Sequence, residues 1–425
     1  MSEVHVDQCP ACGAPLPTVD PKHPMRTKCE YCGASLTIDA AKKEILDDSI
    51  PEVPTDGKAS KTLTLIGIIA ILSPILIPIL IGLIFLIIHI VHTVSSHKLF
   101  GHVTSLPVKC ERDEELIIDG KFIELKETAI LVDRNCRITI KNSRIKAPTI
   151  IKVEYNLDLK IINSTLISTE DMFVSKYEMN ININAGKLKS AKTIVTSKHD
   201  TKIEIANNST VESAGVAFDL EYAPEITMSK SSIKAEKIAI KAGYGAVIKM
   251  KEGSSVLGDD VGMKLGSNAK LEIESSSIAG DEAALDVDSN AEIDLGSGAH
   301  VSGRSVGMKL KGHGKIDIKQ SEVQGRNAAI ETDGYDMISL SKEAKLHAES
   351  VAFNSGYRTK LRMRDSTIES GDTAIRCARG CNLDIENSTV IGEKNSIVLD
   401  KEANMHLLNV RLGGQEKFLE NLAVP

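Results

Sequence analysis

Residues 256–322 read VLGDDVGMKLGSNAKLEIESSS, then IAGDEAALDVDSNAEIDLGSGAH, then VSGRSVGMKLKGHGKIDIKQSE, and the three lines align almost residue for residue. Each opens on an aliphatic residue, Val256, Ile278 or Val301, and carries an alternating pair further on: Leu271/Ile273, Ile293/Leu295 and Ile316/Ile318. The opening column extends back through Ile233, Val211, Leu188, Leu166 and Ile145 to Ile123, and forward through Val323, Leu346, Ile368 and Val390 to Leu412. Its step is 22 residues, give or take one. A third column keeps the same beat from Ile130, Ile151 and Phe173 to Phe353, Ile375 and Ile397. Apolar residues two apart mark half-buried strands. One such repeat cannot bury its own apolar face, whereas copies stacked on one another close a continuous core.

These patterns predict an all-β chain dominated by a parallel β-solenoid over residues 116–412, about 13 coils of 22–23 residues. At about 4.8 Å per coil the stack is roughly 60 Å long. Most odd residues fall at a turn occupied by Asn142-Ser143, Asn163-Ser164, Asn208-Ser209 and Asn387-Ser388, with Asp365-Ser366 as a variant. Asparagine tolerates the left-handed backbone such a turn needs. The columns and the asparagine turns resemble the right-handed parallel β-helix of the pectin-lyase-like superfamily, over about 300 of the 425 residues. The resemblance is architectural and brings no catalytic motif with it.

Ahead of the repeats stand three segments of different composition. Within 1–39, Cys9-Pro-Ala-Cys12 and Cys29-Glu-Tyr-Cys32 form two CxxC knuckles, each followed by glycine. Four thiolates at that spacing suit one tetrahedral Zn²⁺, and a closed Cys₄ site leaves no open position for catalysis, so the metal is expected to be structural. This segment resembles the small zinc ribbon often fused to bacterial membrane proteins, and because Lys22, Arg26 and Lys28 are a thin basic set for nucleic acid, contact with a cytoplasmic protein partner or a purely structural role is expected of it. Residues 40–62 are charged and contain proline and glycine, and read as a linker. From Leu63 to Val91 the sole ionisable side chain is His89, so 63–94 is expected to span a bilayer once, with Pro74 and Pro78 accommodated as a kink. Zinc thiolates favour a reducing compartment, which places the N-terminus in the cytoplasm and the solenoid outside it. Residues 95–115 read as a juxtamembrane segment and N-terminal cap. In 413–425, Phe418, Leu419 and Leu422 share one helical side, as a C-terminal cap needs.

A net charge of −7 gives no electrostatic reason to expect nucleic acid. Chemistry on the solenoid must come from its outward columns. Glu272, Asp294 and Asp317 occupy one such column in succession, and carboxylates on the face of such a stack suit cation binding, carbohydrate binding or glycoside chemistry. Lys315 and Lys319 lie close enough to neutralise them. A second column alternates in sign through Lys264, Asp286, Lys309 and Glu331, as a salt-bridge ladder would. Tyr155, Tyr177, His199, Tyr222 and Tyr244 share one position per coil, and Tyr357 repeats it later. Stacked rings can stabilise the coils or present a strip to a polysaccharide or protein ligand. Cys110 and Cys136 flank the first coil and Cys377 lies four residues before Cys381; disulfides and buried thiols both remain open.

Two functions fit. One is a membrane-anchored binding or scaffold protein with an external solenoid. The other is a membrane-anchored carbohydrate-active enzyme, a hydrolase or lyase, acting through the Glu272, Asp294, Asp317 column. The absence of tryptophan and of any long insertion walling a cleft between coils favours the first.

Overall fold

The structure, a computed structural model, describes residues 105–400 and 402–414, together with the backbone of Arg26–Lys28, Ser35–Thr37 and Gly101–His102. Two units divide the chain, 1–86 and 87–425. In the first, Arg26–Lys28 pairs antiparallel with Ser35–Thr37, on either side of the second CxxC in sequence. Cys9, Cys12, Cys29 and Cys32, the linker, the expected span at 63–94 and the cap residues beyond 414 all lie outside the described residues. No helix among the described residues is long and apolar enough to cross a membrane.

The second unit is a parallel β-solenoid. Each coil contributes one strand to each of three sheets, here called I, II and III, which contain 14, 15 and 14 strands. In the coil around residue 270, for example, Val261–Leu265 lies in sheet I, Lys270–Glu274 in sheet II and Ser277–Gly280 in sheet III. All pairing between successive coils is parallel and in the register the aliphatic columns set: Val256↔Ile278, Leu271↔Ile293, Met263↔Leu285. The three columns meet inside, where Ile145, Leu159, Phe173, Phe218, Ile293 and Phe353 are all fully enclosed. About 14 coils are present rather than 13. The additional one comes from the segment expected to be a cap: Val108–Cys110 pairs with Ile130–Val132, and Gly101–His102 pairs with Leu116 and Ile117. Val108 and Cys110 face inward two residues apart, a pattern too short to stand out in sequence.

Each coil turns three corners. From sheet II to sheet III the chain passes through a left-handed residue, Asn142, Asn163, Asp365 or Asn387 with φ between 46° and 49°, as the asparagine turns predicted. The side-chain amides stack, Asn163 Nδ2 donating to Asn142 Oδ1 at 3.1 Å and Asn142 to Asp119 Oδ1 at 3.1 Å. The corner from sheet I to sheet II is left-handed too, at Asp113, Asn135, Asn268, Asn290, His313 and Tyr335. Its amide ladder joins Asn156 to Asn135 and Asn135 to Asp113, each at 3.2 Å. At the third corner, from III to I, backbone crowding takes over: a Cβ on Gly303 would collide with the Val306 carbonyl oxygen.

Both cysteine pairs are disulfides, and both cross the corner between sheets I and II. Cys110 shares register with Val132 and Cys136 with Leu157, so Cys110–Cys136 ties one coil to the next. Cys377–Cys381 spans the same corner within one coil near the other end. Between them, hydrogen bonds replace the sulfur link: Thr201 Oγ1 donates to Ser197 Oγ at 2.6 Å, and Thr332 Oγ1 donates to Asp336.

Candidate functional site

Parallel register places each outward side chain beside its counterpart one coil away, so columns read from sequence become real neighbours at about 4.8 Å. On sheet II, Glu272 pairs in register with Asp294 and Asp294 with Asp317. These carboxylates are not left to repel one another. Lys249 approaches Glu272 to 3.0 Å, Lys270 approaches it to 3.6 Å, Lys319 meets Asp294 at 3.2 Å, and Lys315 lies 3.9 Å from Asp317. The hydrogen bond from Lys249 holds the Glu272 carboxyl below the ordinary carboxylate range, with burial opposing and the charges of Lys249 and Lys270 assisting. Glu272 and Asp294, though not Asp317, line a groove of about 370 Å³ together with Gly296, Ser297, Lys249, Lys251, Lys319 and Lys342. Anticipating Lys315 and Lys319 as counter-charges is borne out, and the groove itself had no signature in the column.

Further along sheet II, Arg364 gathers a cluster that the repeat pattern did not single out. Its Nη2 donates to Asp384 Oδ2 at 3.0 Å and its Nε lies 2.9 Å from Glu386 Oε2, while His406 Nδ1 sits 3.3 Å from Asp384 Oδ1. Asp384, Glu386 and His406 could together offer ligand atoms to a metal. The guanidinium, however, already occupies the space between the two carboxylates, as a cation would. Its hydrogen bond holds the Asp384 carboxyl below the usual range, with His406 adding to the effect.

Sheet I carries the expected sign ladder in part. Lys264 meets Asp286 at 3.1 Å, and on the same column Lys241 meets Asp219 at 3.0 Å. Lys309 and Glu331 are in register but form no ion pair.

At the corner leaving sheet I the rings form a true stack. Arg134 lies 4.6 Å above the Tyr155 ring, Tyr155 and Tyr177 stack at 4.8 Å, Tyr177 and His199 at 6.3 Å, and His199 and Tyr222 at 5.5 Å. Stacked along the coil axis, the rings from Tyr155 to His199 are contacted on both sides, and Tyr222 on the His199 side alone. Tyr244 is in register with Tyr222 yet makes no ring contact. A shorter cluster, missed because its members straddle two register positions, joins His313 to Tyr335 at 4.9 Å and Tyr335 edge-on to Tyr357 at 5.5 Å, with Arg358 over Tyr357.

Fold and surface together define an all-β parallel β-solenoid protein of about 14 coils. No protein-family description and no curated protein matches the chain. Among solved structures it is similar to the A-module of mannuronan C-5 epimerase AlgE6 from Azotobacter vinelandii, at 8% identity and a TM-score of 0.32, covering 70% of this chain and 90% of that one. A likeness at that level carries no reading of site or activity.

Proposed function

We propose that this is a single-pass membrane-anchored binding or scaffold protein whose solenoid lies outside the cytoplasm and presents its outward columns to a polysaccharide or protein ligand. One observation carries the preference for binding over catalysis. Each member of the carboxylate column, Glu272, Asp294 and Asp317, is matched by a lysine from its own or a nearby coil. Glycoside hydrolysis needs one carboxyl group held protonated near neutral pH. Glu272 is shifted the opposite way.

Residues 63–94 supply the anchor, and Cys9, Cys12, Cys29 and Cys32 hold one structural Zn²⁺ in a cytoplasmic ribbon that contacts a protein partner. The disulfides Cys110–Cys136 and Cys377–Cys381 support this arrangement, since disulfides persist in oxidising compartments and zinc thiolates in reducing ones. Thiol labelling in intact cells tests it: Cys9 is shielded, and a cysteine introduced by Lys152→Cys on the outer face reacts.

The functional test mixes the full chain, purified in detergent, with neutral and uronate polysaccharides and follows both binding and products. Binding with no new chain ends and no altered sugar supports the proposal. Turnover that disappears in Asp294→Asn and Asp317→Asn overturns it and establishes the enzyme instead.

A further inference from the structure

The aromatic stack ends one residue short of its column. From Arg134 to His199 each group is stacked on the next, Tyr222 closes the series on its His199 side alone, and Tyr244 stands apart with 57% of its surface exposed. A groove of about 340 Å³ opens here, lined by both Tyr222 and Tyr244. Its floor has no side chains at Gly243 and Gly266, which occupy one outward register position in successive coils. Backbone crowding accounts for Gly243, because a Cβ there would collide with the Glu221 carbonyl oxygen. The result is a shelf without side chains beside two exposed rings, Tyr222 and Tyr244.

The charges around this shelf specify the occupant. Asp219 is paired with Lys241 at 3.0 Å, Glu221 with Lys198 at 3.6 Å, Lys264 with Asp286 at 3.1 Å, and Asp288 with Lys311 at 2.6 Å. No lining charge is left over to attract an ion, and a charged polymer would have to break one of these pairs to gain a partner. A paired carboxylate and ammonium still offer spare acceptor and donor positions at their edges, which suits hydroxyl groups. An apolar platform flanked by balanced donors and acceptors matches the two sides of a pyranose, whose C–H face packs on aromatic rings while its hydroxyls bond laterally. The coil step of about 4.8 Å is close to the length of one sugar in an extended chain.

We propose that the break in the aromatic stack at Tyr244 is a binding subsite for a neutral, extended polysaccharide, with Tyr222 and Tyr244 as the stacking platform and the Asp219–Lys241 and Asp288–Lys311 pairs receiving its hydroxyls. This rests on the reading of the protein as a binding protein and gives that reading a place and a ligand class. The upstream rings, Tyr155 and Tyr177, then serve the fold alone.

The test titrates the full chain with cellohexaose, xylohexaose, laminarihexaose, mannohexaose and hexagalacturonate. At least one neutral hexaose binds and hexagalacturonate does not. Tyr244→Ala weakens the neutral ligand about tenfold, equivalent to roughly 1.4 kcal/mol, whereas Tyr244→Phe and Tyr177→Ala leave affinity within about twofold, below 0.5 kcal/mol. Binding of hexagalacturonate alone, binding of none of the five, or binding indifferent to Tyr244→Ala each overturns the subsite. Binding that survives Tyr244→Ala unchanged would leave the protein a binding protein with its site elsewhere, while turnover of any hexaose would remove the binding reading itself.

Discussion

The coils up to Ser213 and those from Ala235 onward share one interior but turn the corner from sheet III to sheet I in different ways. In the early coils three to five residues separate the strands, as between Thr165–Ser168 and Phe173–Ser175; in the later ones two suffice, as between Ser277–Gly280 and Ala283–Val287. The side chain filling that corner changes with the connection. Ile150, Met172 and Ile194 fill it in the early coils, and the same register position then passes through Ala217 and Ala239 to Gly262, Ala284 and Gly307. Gly262 has no room to grow, since a Cβ there would lie 2.6 Å from the Ala284 carbonyl oxygen. The large plugs Ile150, Met172 and Ile194 therefore occur only with the longer connections, whereas alanine occurs with both, at Ala217 after Ser213 and at Ala239 after Ala235. Surface chemistry divides nearby: the ring stack ends at Tyr222, and the matched carboxylate column begins at Glu272.

Swapping the plugs breaks this comparison most severely. Ile194→Ala leaves a cavity in a wide corner and is expected to cost about 2–5 kcal/mol in urea unfolding of the purified chain. Ala284→Ile overfills a narrow one at about 1–3 kcal/mol. Equal and negligible effects from both would mean the two corners are alike. The rings give the next contrast. Tyr177→Ala removes two ring partners, at roughly 0.5–1.5 kcal/mol each, and Tyr244→Ala removes none and stays within about 0.5 kcal/mol. A Tyr244 loss as large as that of Tyr177 would show the stack continuing past its apparent end.

How much of this was legible depended on whether a residue's role repeats. Ile123, Leu271 and Ile130 belong to columns that recur in nearly every coil, so the strands and their register follow from spacing alone. Asn142 and Asn163 announced the second corner because asparagine recurs there. The first corner passed unnoticed although it is just as left-handed: Asp113, Asn268, His313 and Tyr335 satisfy the same backbone with different side chains. Partners across the surface were the least legible. Lys319 stands near enough to the carboxylate column in sequence to be expected there, but Arg364 reaches Asp384 and Glu386 together by the path of a long flexible side chain that no column records. The corner plugs carry no sequence signal of their own, because the position changes from Ile150 and Met172 to Gly262 and Ala284, and only the narrow later corner explains why the latter are small.

A smaller effect belongs to the later coils. Asp336 is 1% exposed, and burial raises its carboxyl above the ordinary range despite hydrogen bonds from Thr332 and from the Gly314 N–H, the latter at 2.6 Å. The folded chain thus holds this proton when the unfolded chain has released it, so stability falls as pH rises from the ordinary aspartate value to the raised one. Asp336→Asn keeps an acceptor for Gly314 and an amide for Thr332, and should flatten that part of the stability profile. An unchanged slope would place the titration elsewhere.

The carboxylate column carries the central claim, that lysine pairing makes this face a structural and binding surface rather than an acid–base centre. ¹³C NMR titration of the Glu272 carboxyl in the full chain, beside the Lys249→Met variant, tests it directly. The expected result is a Glu272 that titrates below the ordinary glutamate value and moves back up when Lys249 is removed. The loss of stability at neutral pH is below about 1 kcal/mol and disappears as pH falls through the folded value. A Glu272 that titrates above the ordinary value with Lys249 in place would contradict the account and mark the carboxyl group as a general acid.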